Sequence, residues 1–225
     1  MGGILLPNLI IIYHGTRQLD FAPNFGGGRN YHDFGKGLYA TEDIEAAKEW
    51  ACQDKTEYAY IYTYELDTAV LNIINLEKSN IIQWVSALMQ HRPSKKIRGA
   101  GHALCEKMIK IYGIDVETYD AIRGYRADNS NFQFASDFVS GVMSLPTLRK
   151  VVNEGALGLQ ICIKSALAYE SLELVQVEKI SGEKCELYHE RYLAKDSAAR
   201  TLANSYLNEP QIGQLLSDVC EGVAK

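Results

Sequence analysis

Residues 58–66 read YAYIYTYEL. Tyr58, Tyr60, Tyr62 and Tyr64 alternate with Ala59, Ile61 and Thr63, and a period of two sets each group on its own face of a β-strand. Upstream, residues 8–14 (NLIIIYH) form a run of β-branched residues closed by Gly15-Thr16, the pattern of a buried strand. Residues 37–40 (GLYA) predict a short strand, and residues 17–36 between the two are a loop rich in Gly, Asn and Asp. A loop of that length inside a compact domain is often functional. Downstream, residues 70–76, 119–124, 159–164 and 172–180 read as further strands.

Helical spacing fills the gaps. Thr41 is the expected N-cap of a helix carrying Ile44, Ala47, Trp50 and Ala51, with Glu42, Asp43 and Glu45 in its first turn. Residues 79–92 predict an amphipathic helix stopped by Pro93, and residues 103–112 a second one ended by Gly113. Residues 132–143 and 147–153 add two more, and residues 166–169 one turn. Beyond about residue 192 the chain is polar and helical, broken at Pro210. The expectation is one α+β domain over residues 1–192, continued by a helical extension over residues 193–225.

Composition narrows the class. The chain has 225 residues, 47% hydrophobic and 23% charged, which excludes disordered, collagen-like and coiled-coil classes. A net charge of −5 argues against a broad nucleic-acid surface, although a small basic groove remains compatible with it. The 14 Tyr against 6 Phe and 2 Trp fit either strand propensity or stacking on a planar ligand. The five cysteines are scattered, with no CxxC and no Cys/His cluster, so free thiols and no metal are expected. No apolar run approaches the ~20 residues of a membrane span. The start carries no basic n-region, and Leu6 stands where a myristoylation signal following Gly2 needs Ser or Thr. A cytoplasmic protein without membrane attachment is expected.

Three strand ends concentrate chemistry. Tyr13-His14-Gly15-Thr16 closes the first strand, where a glycine admits close approach to the backbone. Asp33-Phe34-Gly35-Lys36-Gly37-Leu38-Tyr39 sets two glycines around a lysine before a terminal tyrosine, and Leu159-Gln160-Ile161-Cys162-Ile163 holds a lone amide among apolar neighbours. Taken singly, each has a structural reading: a satisfied histidine, a packing tyrosine, a solvent-facing glutamine. Arg126 and Asp128, two apart in a polar turn, read either as a target-positioning pair or as an ion pair pinning the loop. Lys95, Lys96 and Arg98 form the one basic run, which suits a solvated loop or a phosphate contact.

In this order, YHGT at 13–16, DFGKGLYAT at 33–41, AAKEWA at 46–51, RGYRAD at 123–128 and QICIKS at 160–165 resemble the ADP-ribosyltransferase superfamily. The likeness is to its His–Tyr–Glu branch, which includes diphtheria toxin and the poly(ADP-ribose) polymerases, and most closely to an uncharacterised bacterial family assigned to that superfamily. It covers most of residues 11–178. The resemblance implies a split β-sheet of two packed small antiparallel sheets with flanking helices, and NAD as co-substrate. It implies that His14 hydrogen-bonds a ribose of NAD, that Gly15 holds the nicotinamide carboxamide through its backbone, and that Tyr39 stacks on the nicotinamide ring. Thr16, Arg17 and Arg29 are then candidates for hydroxyl and pyrophosphate contacts. Nicotinamide leaves C1′ through an oxocarbenium-like transition state, which the superfamily supports with a Glu. Here Gln160 holds that position, and Asp128 or Glu154 are the nearest carboxylates in sequence. The implied activity is mono-ADP-ribosyl transfer to a macromolecule, protein or nucleic acid, in a toxin–antitoxin or phage-defence setting with an antitoxin as possible partner. An NAD or ADP-ribose binding module with little turnover, and an NAD glycohydrolase, are the alternatives.

Overall fold

The computed structural model describes residues 8–92 and 97–222. Gly2, Leu6, Pro93, Lys95 and Lys96, which entered the sequence reading, lie outside the described residues. In chain order the elements are β1 (Leu9–Thr16), β2 (Leu38–Ala40), α1 (Ile44–Ala51), β3 (Tyr58–Asp67), β4 (Ile73–Asn75) and α2 (Ile81–His91). Then come α3 (Ala100–Tyr112), β5 (Ala121–Tyr125), α4 (Asn129–Val139), α5 (Leu145–Glu154) and β6 (Leu159–Ile163). The chain closes with α6 (Ala166–Glu170), β7 (Leu172–Ser181), α7 (Glu183–Leu207) and α8 (Leu216–Gly222).

The architecture is mixed α+β with two small sheets. β1, β3 and β7 form a three-stranded antiparallel sheet with β3 in the middle. The central place follows from the alternation. Tyr60, Tyr62 and Tyr64 enter a core shared with Ile12, Leu38, Ile161 and Ile163, while Ala59 and Ile61 pack against Ala47, Ala51 and Cys52 on the opposite face. Strand β3 is thus buried on both faces, and Tyr58 alone of its four tyrosines is exposed. The tyrosine tips find use at the margins: Tyr62 Oη accepts from the Phe21 amide at 2.9 Å, tying the long loop to the sheet.

The second sheet has the order β2-β6-β5-β4. Two of its pairs are antiparallel, but β4 and β5 run parallel, which corrects the expectation of two wholly antiparallel sheets. The reason is the connection. A parallel pair needs a crossover of a dozen or more residues, and α2 and α3 lie between these two strands. The two sheets meet where Tyr13 and Thr41 exchange backbone bonds, at 2.7 Å from Tyr13 N to Thr41 O and 3.0 Å in return.

The largest core packs α2 to α5 on the four-stranded sheet around Phe34, Trp84, Leu88, Met108, Phe138 and Leu148. Helix α1 is capped by Asp43, whose carboxylate accepts from Glu45 N at 2.9 Å, instead of by Thr41, whose buried hydroxyl accepts from Asp43 N. Asp128, read as part of a turn, is the N-cap of α4. The helical extension expected from residue 193 is the second half of α7, a 25-residue helix that begins at Glu183 and packs along α1, α4 and α5. Few apolar positions mark it, since Cys185, Ala199 and Ala203 are its buried residues, and so its start was not visible as a periodic stripe. Among the described residues no helix is long and apolar enough to cross a membrane.

Candidate functional site

A cleft of about 790 Å³ opens where β1, β2 and β6 end, roofed by the long loop and walled by α1 and α7. His14, Gly15, Tyr39, Gln160, Arg126 and Asp128 all line it, although they come from three strands and the turn after β5. Thr16 and Arg29 are not among its lining residues. Thr16 Oγ1 accepts from the Gln18 amide, and the Arg29 carbonyl accepts from His32 N. Arg17 pairs on the surface with Asp54, and Glu154, which is not a lining residue, accepts from the Tyr206 hydroxyl. The guanidinium groups that do line the cleft are Arg92 and Arg126.

Strand β1 sets the first wall. Tyr13 sends its N–H and C=O to Thr41, away from β3. Successive strand residues alternate the edge to which their backbone groups point. Gly15, two residues on, therefore turns its N–H and C=O to that same edge, beyond the single bridge to Thr41 and beside the cleft. The fold gives the glycine a packing reason of its own. A Cβ here would lie 2.2 Å from Ala47 O in α1, so the residue lets a helix backbone reach the strand.

His14 stacks on Phe21 at 4.4 Å, and its Nδ1 lies 2.7 Å from Tyr39 O. A carbonyl only accepts, so Nδ1 carries the hydrogen and Nε2 is left as an acceptor. Burial pushes the imidazole below its usual range, and the bond to Tyr39 O offsets this only in part, so the ring is neutral at pH 7. Tyr39 is held by both ends of its hydroxyl, which donates to Gly35 O at 2.8 Å and accepts from Phe34 N at 2.8 Å. Burial raises its phenol well above the ordinary value. The hydroxyl is thereby committed to the loop, and the ring is what Tyr39 offers a ligand.

Gln160 is buried at 4% exposure. Its Nε2 donates to Asp33 Oδ2 at 2.7 Å and to Tyr125 O at 3.3 Å. Asp33 also accepts from Ala127 N at 2.9 Å and from Arg92 at 2.6 Å, and Arg92 bonds in turn to Ala127 O. Asp33 is the site carboxylate that sequence reasoning missed. It opens the quoted DFGKGLY stretch, but its partners stand 59 and 127 positions away.

The opposite wall is aromatic. The Arg126 guanidinium lies 4.5 Å from the Trp50 ring and 5.4 Å from Tyr192, and it donates to Gln53 Oε1 at 3.5 Å. Asp128 spends Oδ1 on the Asn131 amide, while Oδ2 and Trp50 Nε1 are buried with no partner among the described residues. Burial raises the Asp128 carboxyl, and Arg126 pulls it partly back. Among the described residues no group of three or more His, Cys, Asp or Glu is placed to hold a metal ion.

The molecule is a mixed α+β protein with an open cleft lined from both of its small sheets. The chain belongs to the family described as Protein of unknown function (DUF3990), whose family model matches residues 10–174. That span runs from β1 into β7 and takes in every lining residue except those of α7. No curated protein and no solved structure matches the chain.

Proposed function

We propose that this protein is an ADP-ribosyltransferase with the split-sheet fold of that superfamily, which cleaves NAD at the nicotinamide–ribose bond and transfers ADP-ribose to a macromolecular acceptor. The observation that carries the reading is the gathering of His14, the open backbone edge of Gly15, the Tyr39 ring and Gln160 in one cleft. A primary carboxamide has one donor edge and one acceptor edge, and the N–H and C=O of Gly15 match both. The neutral His14 offers Nε2 to a ribose hydroxyl. Tyr39, its hydroxyl committed, offers a ring face to a cationic pyridinium. Oxocarbenium character at C1′ is served by groups that bind the adjacent hydroxyl, the place of Gln160.

Arg126, Trp50 and Tyr192 form the rim where the acceptor enters, and Asp128 and Arg126 position it. Intracellular NAD consumption of this kind suits a bacterial toxin with a neutralising antitoxin. One observation favours a second reading: an amide in place of a carboxylate supplies neither charge nor a base, which suits NAD binding with little turnover. Incubation with nicotinamide-labelled and adenylate-labelled NAD and a cell lysate separates these. Transfer of the adenylate label to macromolecules, lost in His14→Ala, is the expected result. Nicotinamide release without transfer assigns a glycohydrolase, binding without release assigns the module, and no binding sinks the proposal.

A further inference from the structure

Gln160 is an amide with two chemically different ends, and its surroundings decide which end meets a ligand. Two atoms press on its Nε2 side, Asp33 Oδ2 at 2.7 Å and Tyr125 O at 3.3 Å. Tyr125 O, a backbone carbonyl, accepts only, and it already takes a bond from Trp84 Nε1 at 3.0 Å. The Asp33 carboxylate is paired with Arg92 and takes the Ala127 amide as well. Both neighbours are acceptors, so the NH2 must face them; turning the amide over would set oxygen against oxygen at both contacts. Oε1 is left with no hydrogen-bond partner among the described residues, on a side chain that lines the cleft.

We infer that Asp33 is a positioning residue that locks the Gln160 amide with Oε1 toward the cleft, so that Gln160 meets a ligand as an acceptor only; the identity of that ligand as NAD rests on the function proposed above. The anchor itself is anchored. Asp33 is buried at 7% exposure and fixed from three sides, by Arg92 at the end of α2, by Ala127 after β5 and by Gln160 in β6. An NH2 that donates to an anion also releases more density into its own carbonyl, which strengthens Oε1 as an acceptor. A neutral amide held this way accepts a ribose hydroxyl as a carboxylate oxygen does, without bringing a second negative charge beside Asp33.

The test is side-chain NMR with the whole protein and NAD as the probe. The Gln160 NH2 and Cδ signals are assigned by their loss in Gln160→Glu. In the free protein the Gln160 NH2 protons are expected to be protected from solvent exchange, and NAD should shift the Gln160 Cδ while that protection persists. Asp33→Asn, its fold checked by unchanged His14 and Phe138 resonances, should deprotect the NH2 and weaken NAD binding roughly 10- to 100-fold, the worth of a hydrogen bond to a charged group. If Asp33→Asn does not fold, the two wild-type measurements decide alone. Free exchange of the Gln160 NH2, or NAD moving Nε2 and leaving Cδ unshifted, overturns the inference. A protected NH2 in a cleft where NAD moves no resonance upholds the Asp33 anchor and overturns the NAD reading.

Discussion

The two walls of the cleft differ in how their polar groups are satisfied. On the β-sheet side, His14 bonds to Tyr39 O, the Tyr39 hydroxyl is held twice, and Gln160, Asp33, Arg92 and Ala127 close a network. On the helical side, Trp50 Nε1 and Asp128 Oδ2 have no partner among the described residues, and Arg126 keeps a long bond to Gln53. Buried polar groups are normally paired. The paired wall therefore has its side chains fixed by internal bonds, and it presents the groups left over, His14 Nε2, Gln160 Oε1 and the Gly15 backbone, in set directions without rearranging. The other wall keeps buried polar atoms without a partner among the described residues. Under the function proposed above, the paired wall would take the small co-substrate and the other wall the acceptor.

Substitutions on the paired wall should damage both stability and NAD binding. The largest effect is expected from Gly15→Ala, because the added Cβ meets a helix carbonyl at 2.2 Å and neither backbone has room to give. A loss of about 3 kcal/mol is expected from such overpacking, seen as a fall of roughly 6–12 °C in Tm for a chain of this size. A Tm within a degree of wild type would mean that β1 and α1 are not held as described. Next in size is Gln160→Leu, which removes a donor from the buried Asp33 carboxylate and should cost about 1–3 kcal/mol in denaturant titration.

A smaller effect should appear on acidification. The His14 imidazole sits below the usual value of 6.5 in the folded protein. Between 6.5 and that lower value the unfolded chain binds the proton first, so this group's contribution favours unfolding increasingly as pH falls through that window, and then levels off. NAD affinity should accordingly be flat through pH 6.5 and decline only below it, once Nε2 is protonated. An affinity that falls with a midpoint at or above 6.5 would place a charged histidine in the site. The smallest change belongs to the unpaired wall. Asp128→Asn keeps a good N-cap for α4 and should alter stability by no more than about 0.5 kcal/mol. Calorimetry should find its NAD binding unchanged, while transfer of the adenylate label to macromolecules falls. Equal losses of binding and transfer would erase the distinction between the walls.

The sequence carried the local part of this arrangement. Strand β3 was legible because its alternation is strict, and β1 because its residues are β-branched. His14, Tyr39 and Gln160, which the structure brings to one cleft, drew attention in the sequence because each closes or interrupts a strand pattern in a recognisable order. What escaped was set by distant partners. Asp33 looks like a loop aspartate until Gln160, Arg92 and Ala127 are folded around it. Gly15 was read for its openness to a ligand, and its second demand, that a Cβ there would meet Ala47 O in α1, comes from a residue 32 positions away. Strand direction leaves no mark in a side-chain pattern, so the parallel β4–β5 pair was missed. Arg29 was chosen on charge and loop position, and charge alone says nothing about which way a loop faces.

If the proposed function holds, the paired wall binds NAD with no acceptor present. Isothermal titration of NAD into wild-type protein, His14→Ala and Asp128→Asn, with no macromolecule present, tests it most directly. Saturable binding by wild type and Asp128→Asn, weakened at least about tenfold in His14→Ala, is the predicted result. No binding by the wild type, or binding that His14→Ala leaves intact and Asp128→Asn abolishes, would contradict it.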